Sequence, residues 1–142
     1  MNAYPDTSFL VSLYVSDVHT PKAELVMHRV RPILVLTLFH QLELTNALQL
    51  LVFRGLISAA QASAAQRRFE ENLAVLGPLR SLPNEVFSQA VDLAKRHTAR
   101  SGTRSLDILH VAAALSLDAE VFLTFDLRQR RLAKAAGLRI GR

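Results

Sequence analysis

The sequence predicts an α/β fold, a three-layer α/β/α sandwich whose central sheet is mainly parallel. Short apolar and β-branched runs alternate along the chain with longer segments of helical periodicity, as in parallel sheets whose strands are joined by helices. The 142 residues suit one domain over 1–142, and the hydrophobic fraction of 50% excludes a disordered chain. We therefore expect helices on both faces of one sheet.

Four strands are predicted from the apolar runs and the turn residues beside them. The first covers 2–6 and ends at an aspartate, and the second is the β-branched run at 33–37. The third covers 121–125, with another aspartate just past its end, and the last covers 138–140. The connection at 78–83 is predicted to be a short strand or an extended linker.

Helices are predicted between these strands, and capping residues give their ends. Thr7 or Ser8 is expected to cap the first helix, and Ser58, Asn84 and Ser105 are expected to begin or cap three later ones. Glycines end several of them. The predicted helices cover 7–15, 21–31, 38–54, 58–76, 84–100, 105–117 and 127–136.

Composition narrows the function classes. Seventeen Lys and Arg against twelve Asp and Glu give a net charge of +5, and nearly all of the basic residues are Arg. This excess of positive charge favours a nucleic acid or another polyanion as partner. The absence of Cys excludes a disulfide scaffold, a thiol nucleophile and a Cys-ligated metal. No signal peptide is recognisable, and the apolar runs are too short to cross a bilayer, so we expect a cytoplasmic protein without a membrane partner.

Four acidic side chains lie beside apolar runs: Asp6, Glu43, Asp107 and Asp126. Each also has a structural interpretation. Asp6 and Asp126 could cap helices, Asp107 could be a favourable charge at a helix N-terminus, and Glu43 could pair with a buried Arg. Two of them follow strands, and the carboxyl ends of parallel strands meet at one edge of a sheet. Carboxylates that converge there need raised pKa values or a cation, and Mg²⁺ or Mn²⁺ prefers oxygen ligands. With no Gly-rich phosphate loop, metal-assisted phosphodiester hydrolysis fits best.

The order of four motifs resembles the PIN domain, and more narrowly the VapC-type ribonuclease toxins of type II toxin–antitoxin pairs. The motifs are D-T-S after the first strand, then L-E-L-T-N-A-L, S-L-D-I-L-H-V-A-A-A-L and T-F-D. The resemblance implies a Rossmann-like sandwich, a Mg²⁺ or Mn²⁺ site and endonucleolytic cleavage of RNA. It also implies a homodimer and a VapB-like antitoxin that covers the active site.

The resemblance assigns roles to individual positions. Asp6, Glu43, Asp107 and Asp126 match the acidic residues that bind metal and perform catalysis. Ser8 and Thr124 match small hydroxyl residues that orient carboxylates or waters, and Asn46 could hold Glu43 or a water. Arg104 and Arg128 are candidates for contacts with RNA phosphates. Because L-R-Q-R-R follows Asp126, where some members carry another acid, one well-held ion is expected in the free enzyme.

Other side chains are predicted to be structural. His40 and His110 follow the helical spacing of Glu43 and Asp107, yet packed, hydrogen-bonded histidines are expected. The phenylalanines lie in apolar runs and are expected in the core or a dimer interface, not in a platform for base stacking.

Two other function classes stay open. A receiver-like regulatory domain would accept a phosphoryl group on a strand-end Asp and would need a Lys at another strand end, whereas the Lys residues here lie in or near predicted helices. A catalytically silent PIN-like module that only binds RNA or protein should lack one of the acids, and all four are present.

Overall fold

The computed structural model describes residues 1–141, which form a four-stranded parallel sheet with helices packed on both faces. The strand order is β2-β1-β3-β4, and every pairing is parallel. The strands are β1 Asn2–Pro5, β2 Ile33–Leu34, β3 Val121–Leu123 and β4 Arg139–Ile140. The predicted sandwich is therefore confirmed.

The helices follow the predicted order. Their bounds are α1 Thr7–Tyr14, α2 Thr20–Val30, α3 Leu38–Phe53, α4 Ala59–Leu76, α5 Glu85–Leu93, α6 Ala99–Ser101, α7 Ser105–Ser116 and α8 Leu127–Ala135. Within residues 1–141, none of these helices has the length and apolar composition that crossing a bilayer requires.

The two central strands are buried on both faces. Successive side chains of a strand point to opposite sides, so Ala3 packs with α1–α4 while its neighbour Tyr4 packs with α5, α7 and α8. Leu123 and Phe122 divide between the two cores in the same way. This two-sided burial explains why the strands are continuous apolar runs in the sequence.

The strands are shorter than predicted. Regular pairing of β2 stops at Leu34, and a single parallel bridge then joins Thr37 to Arg80 in the connection that was predicted to be extended. Val35 and Leu36 lie outside the regular strand but are buried and still hydrogen-bonded: the Val35 N–H donates to the Ala3 carbonyl at 2.8 Å, and the Leu36 carbonyl accepts the Arg80 N–H at 2.9 Å.

Three predicted caps are wrong. The first helix is capped by Asp6 rather than by Thr7 or Ser8, since its side chain accepts the Phe9 N–H at 3.0 Å. Asn84 has a helical backbone and makes no capping hydrogen bond, and Arg104, not Ser105, stands at the N-cap of α7. A cap requires an extended backbone just before the helix, and tertiary packing decides where that occurs.

The helix predicted over 84–100 is interrupted. A π-helical turn, Ala94–Thr98, separates α5 from the single turn of α6. A π turn inserts an extra residue into the helix, and this one carries Lys95, Arg96 and His97. The sequence does not reveal the insertion, because the turn is polar after Ala94 and offers no apolar residues whose spacing could show the extra residue.

The capping box that begins α4 allows a stability test remote from the strand ends. Ser58 Oγ accepts the Gln61 N–H at 3.0 Å, and Gln61 Oε1 accepts the Ser58 N–H at 2.8 Å. We expect Ser58→Ala to lower the free energy of unfolding by about 1 kcal/mol in urea titrations. Ser63→Ala, an exposed change inside the same helix, should be neutral or slightly stabilising, and equal losses in the two variants would contradict the capping role.

Candidate functional site

The carboxyl ends of β1 and β3 bring two sequence motifs together. Pro5 pairs with Leu123 in parallel register, and the Asp6 N–H donates to the Leu123 carbonyl at 2.9 Å. Asp6 and Thr124 therefore follow the two strands side by side, although 118 positions separate them along the chain. The D-T-S and T-F-D motifs thus meet at one edge of the sheet.

Asp6 is buried and held by hydrogen bonds at both carboxylate oxygens. Ser8 Oγ donates to Oδ1 at 2.6 Å beside the Phe9 N–H, and Thr124 Oγ1 donates to Oδ2 at 2.5 Å. Only 4% of the residue is exposed. Burial raises the pKa of Asp6, and the hydrogen bonds from the two hydroxyls oppose that rise. Ser8 and Thr124, the two hydroxyl residues predicted to orient carboxylates or waters, thus both contact Asp6.

Asp126 is joined to Asp6 through Thr124. The Asp126 N–H donates to Thr124 Oγ1 at 3.0 Å, while the same hydroxyl donates to Asp6. Asp126 Oδ1 accepts the Gln129 N–H at 2.8 Å and caps α8. The capping interpretation is therefore correct for Asp6 and Asp126, and both caps lie at the same sheet edge.

Glu43 pairs with a histidine, not with the buried Arg that its structural interpretation requires. Glu43 Oε1 lies 3.4 Å from Nε2 of His110, and the Glu43 side chain is 18% exposed. Thr7 Oγ1 lies 3.1 Å from the same nitrogen and 3.5 Å from the Glu43 oxygen. The contact joins α3 to α7 beside the first residue of α1.

Asp107 occupies the first turn of α7, one turn before His110. Burial raises the pKa of Asp107, and the carboxylates of Asp126 and Glu43 raise it further, while His110 and Arg104 oppose them. His110, one turn after Asp107, contacts Glu43, and the Thr124 hydroxyl links Asp126 to Asp6. We call the group of Asp6, Glu43, Asp107 and Asp126 the acidic edge.

The acidic edge suits a hard divalent cation by the chemistry of its donors, because all of its side chains are carboxylates. Within residues 1–141, however, no three His, Asp or Glu side chains already stand as a set of metal ligands. The hydrogen bonds that cap α1 and α8 occupy oxygens of Asp6 and Asp126. Each carboxylate has about four lone-pair sites on its two oxygens, so a capping hydrogen bond leaves others for a metal ion.

Two buried histidines, His40 and His110, bind residues beside the acidic edge. His40 Nδ1 accepts the Thr37 N–H at 2.9 Å, and its Nε2 lies 2.7 Å from the Pro5 carbonyl, so Nε2 carries the proton. His110 Nδ1 lies 3.0 Å from the Tyr4 hydroxyl. The expectation of packed, hydrogen-bonded histidines is correct, and both bind the end of β1.

The remaining predicted residues lie at the margin of the site. Asn46 is exposed and, among the described residues, makes no hydrogen bond with Glu43; Thr7 and His110 contact that carboxylate instead. Thr7 was missed although it belongs to the D-T-S motif. Arg104 and Arg128 are exposed, and Arg128 Nη1 donates to the Gly102 carbonyl at 3.3 Å.

Comparison with known proteins agrees with this architecture. The family model of the PIN domain matches residues 3–135. Among solved structures, the chain is similar to VapC20 of Mycobacterium tuberculosis, a sarcin–ricin loop cleaving toxin, with a TM-score of 0.70, 20% identity and coverage of 96% of this chain and 95% of that one. Comparison with curated proteins gives no significant match.

The buried His40 should make stability depend on pH. Burial lowers its pKa to about 3, with His110 adding to the effect, whereas an unfolded histidine titrates near about 6.5. The unfolded chain therefore binds the proton first, and stability is lost as pH falls from about 6.5 towards about 3, by up to about 1.4 kcal/mol per pH unit. We expect His40→Gln, which keeps an acceptor at this capping position, to flatten this part of the curve in urea titrations.

The exposed His28 provides the matched control for His40. His28→Gln should give a stability curve parallel to that of the unsubstituted protein over the same pH range. Parallel curves for the unsubstituted protein and His40→Gln would contradict the neutral, buried state of His40.

Proposed function

Because the chain belongs to the PIN domain family, we propose that it is a metal-dependent endoribonuclease, the toxin of a type II toxin–antitoxin pair. The observation that carries the proposal is the convergence of acids at one sheet edge: the Thr124 hydroxyl joins Asp126 to Asp6, and Glu43 contacts His110, one turn after Asp107. A cluster of like charges of this kind favours a divalent cation.

The metal would be held by Asp6, Asp107 and Asp126, with Glu43 binding directly or through a water. When bound, Mg²⁺ or Mn²⁺ supplies an activated water and neutralises charge on the phosphoryl oxygens. Ser8 and Thr124 keep the Asp6 carboxylate in place, since each donates a hydrogen bond to it.

The substrate would be single-stranded or looped RNA, positioned by its phosphates. Arg104 lies close enough to Asp107 to lower the pKa of that carboxyl, and Arg128 lies near Gly102 in the loop before α7. Two exposed guanidinium groups beside the acidic edge suit phosphate oxygens on either side of the reacting bond. The net charge of +5 favours the same partner.

The assignment as a toxin draws on the fold shared with VapC20, which covers nearly the whole of both chains. A VapB-like antitoxin that covers the acidic edge, and a homodimer, complete this proposal. A cytoplasmic location would give the enzyme its RNA substrate.

A catalytically silent PIN-like module is the second candidate, because the metal ligands within residues 1–141 are not already gathered as a set. It would bind RNA or protein without cleaving. A receiver-like domain is disfavoured, since the lysines lie in α2, the π turn and α8 and not at strand ends.

Removing single carboxylates should abolish cleavage without unfolding the protein. We expect Asp6→Asn and Asp107→Asn to lower Mg²⁺-dependent RNA cleavage by about a hundredfold or more, because each removes an anionic oxygen from the acidic edge. Asp92→Asn, an exposed change on α5, is the control and should cleave normally. Full activity of folded Asp6→Asn, with folding checked by circular dichroism, would refute the assignment.

Metal binding should appear in thermal melts. Mg²⁺ should raise the melting temperature of the unsubstituted protein by several degrees over that in EDTA, and Asp107→Asn should lose this gain. In EDTA, Asp107→Asn should melt at or above the unsubstituted protein, because the folded-state pKa of Asp107 is raised and its charge is destabilising above that pKa. Equal Mg²⁺ shifts in both proteins would place the metal elsewhere.

A further inference from the structure

We propose that the ring of His19 is a stacking platform for one nucleobase of the RNA, directly beside the acidic edge. The inference rests on the proposed function, because it specifies how that substrate is held. It concerns a residue outside the four family motifs, in the loop between α1 and α2.

Three rings form a stack that runs from the core to the surface. The ring centroids of Phe9 and Phe125 lie 5.4 Å apart with 17° between their planes, and those of Phe125 and His19 lie 4.5 Å apart with 6° between their planes. Phe9 is buried, Phe125 is half-buried and His19 is exposed. The stack therefore ends in an aromatic ring that is open to solvent, the arrangement that single-stranded nucleic acid uses for base stacking.

The loop that carries His19 is fixed before any ligand binds. Asp17 Oδ1 accepts the His19 N–H at 2.8 Å, and Asp17 Oδ2 accepts the Ser12 hydroxyl at 2.8 Å. Thr20 Oγ1 accepts the Asp17 N–H at 2.9 Å and donates to the Ser12 carbonyl at 2.8 Å. Because these bonds hold the loop against α1, little conformational entropy is lost when a base covers the ring.

The platform shares its cavity with Asp126, one of the four residues of the acidic edge. A cavity of about 350 Å³ is lined by His19 and Phe125 together with Thr7, Ser8 and Asp126. Phe125 directly precedes Asp126, and its N–H donates to Ser8 Oγ at 3.0 Å. The His19 ring lies on Phe125, whose backbone is bonded to Ser8, and Ser8 in turn donates to Asp6. A base on His19 would therefore lie a short distance from the acidic edge.

Positive charge in a neighbouring cavity favours RNA as the occupant. A second cavity, of about 170 Å³, also contains His19, Phe125 and Asp126 and is lined by Lys22 and Arg130. Neither cation forms an ion pair with a carboxylate among residues 1–141. A nucleotide offers both a π face for His19 and a phosphate for these cations.

The test compares the binding of two strands that differ only in their bases. A fluorescent single-stranded RNA of about twelve nucleotides with randomised sequence is titrated with the full chain at low salt in EDTA. The second strand has the same sugars and phosphates but is abasic. The variants are His19→Ala, which removes the ring, and His19→Phe, which keeps one, with His28→Ala on the exposed side of α2 as the control.

We expect His19→Ala to weaken binding of the base-bearing RNA by about 5- to 150-fold, the loss typical of one stacked base, and to leave the abasic strand unaffected. His19→Phe and His28→Ala should bind both strands like the unsubstituted protein. If His19→Ala weakens binding of both strands equally, the residue acts through charge or structure. If its binding is unchanged, the ring serves another partner such as a protein. Either result overturns the proposal, as does a lack of detectable binding of the base-bearing RNA to the unsubstituted protein.

The outcome is separable from that of the proposed function because the assay involves no cleavage. If the protein cleaves RNA but His19→Ala binds it normally, only the stacking proposal fails. If binding depends on His19 and no cleavage occurs with Mg²⁺, the platform stands and the catalytic assignment fails.

Discussion

The site depends on one buried carboxylate that must be kept hydrogen-bonded. Asp6 lies at the end of a central strand with 4% exposure, where an unsatisfied charge would be strongly destabilising. Ser8, Phe9 and Thr124 satisfy it, and in doing so they join the ends of β1 and β3 to the start of α1. The same network fixes Asp126, whose N–H donates to the Thr124 hydroxyl, and the backbone of Phe125 in the aromatic stack, whose N–H donates to Ser8.

Two buried histidines hold the helices that carry the other acids. His40 binds the Pro5 carbonyl from α3, and His110 lies against the Tyr4 hydroxyl from α7, so both helices are held at the residues just before Asp6. Glu43 lies one turn beyond His40, and Asp107 lies one turn before His110. The hydrogen bonds of these two histidines thus place the acidic side chains, and carboxylates that lie near one another favour a cation.

Helix capping and the proposed metal chemistry use the same carboxylates. Asp6 and Asp126 each accept a backbone N–H that their helix leaves without a partner, so each stabilises the fold before any ligand binds. In a parallel α/β sheet, the residue after a strand is also the residue before a helix, and it lies at the edge where sites form. The structural and functional interpretations of such an aspartate are therefore compatible.

The sequence by itself determined the fold class and the succession of strands and most helices along the chain, because period and apolar content report burial directly, and it singled out the four acids as candidates. It offered Asp6 as a cap only beside Thr7 and Ser8, and it could not give the N-cap at Arg104, the π turn after Leu93, or the partners of Glu43. These depend on backbone angles and on contacts between distant segments. The same reason explains why the phenylalanines were expected only in the core or an interface: no local pattern shows that the loop between α1 and α2 lays His19 over Phe125. Sequence pattern records what each segment buries, and only the tertiary structure decides which segments meet.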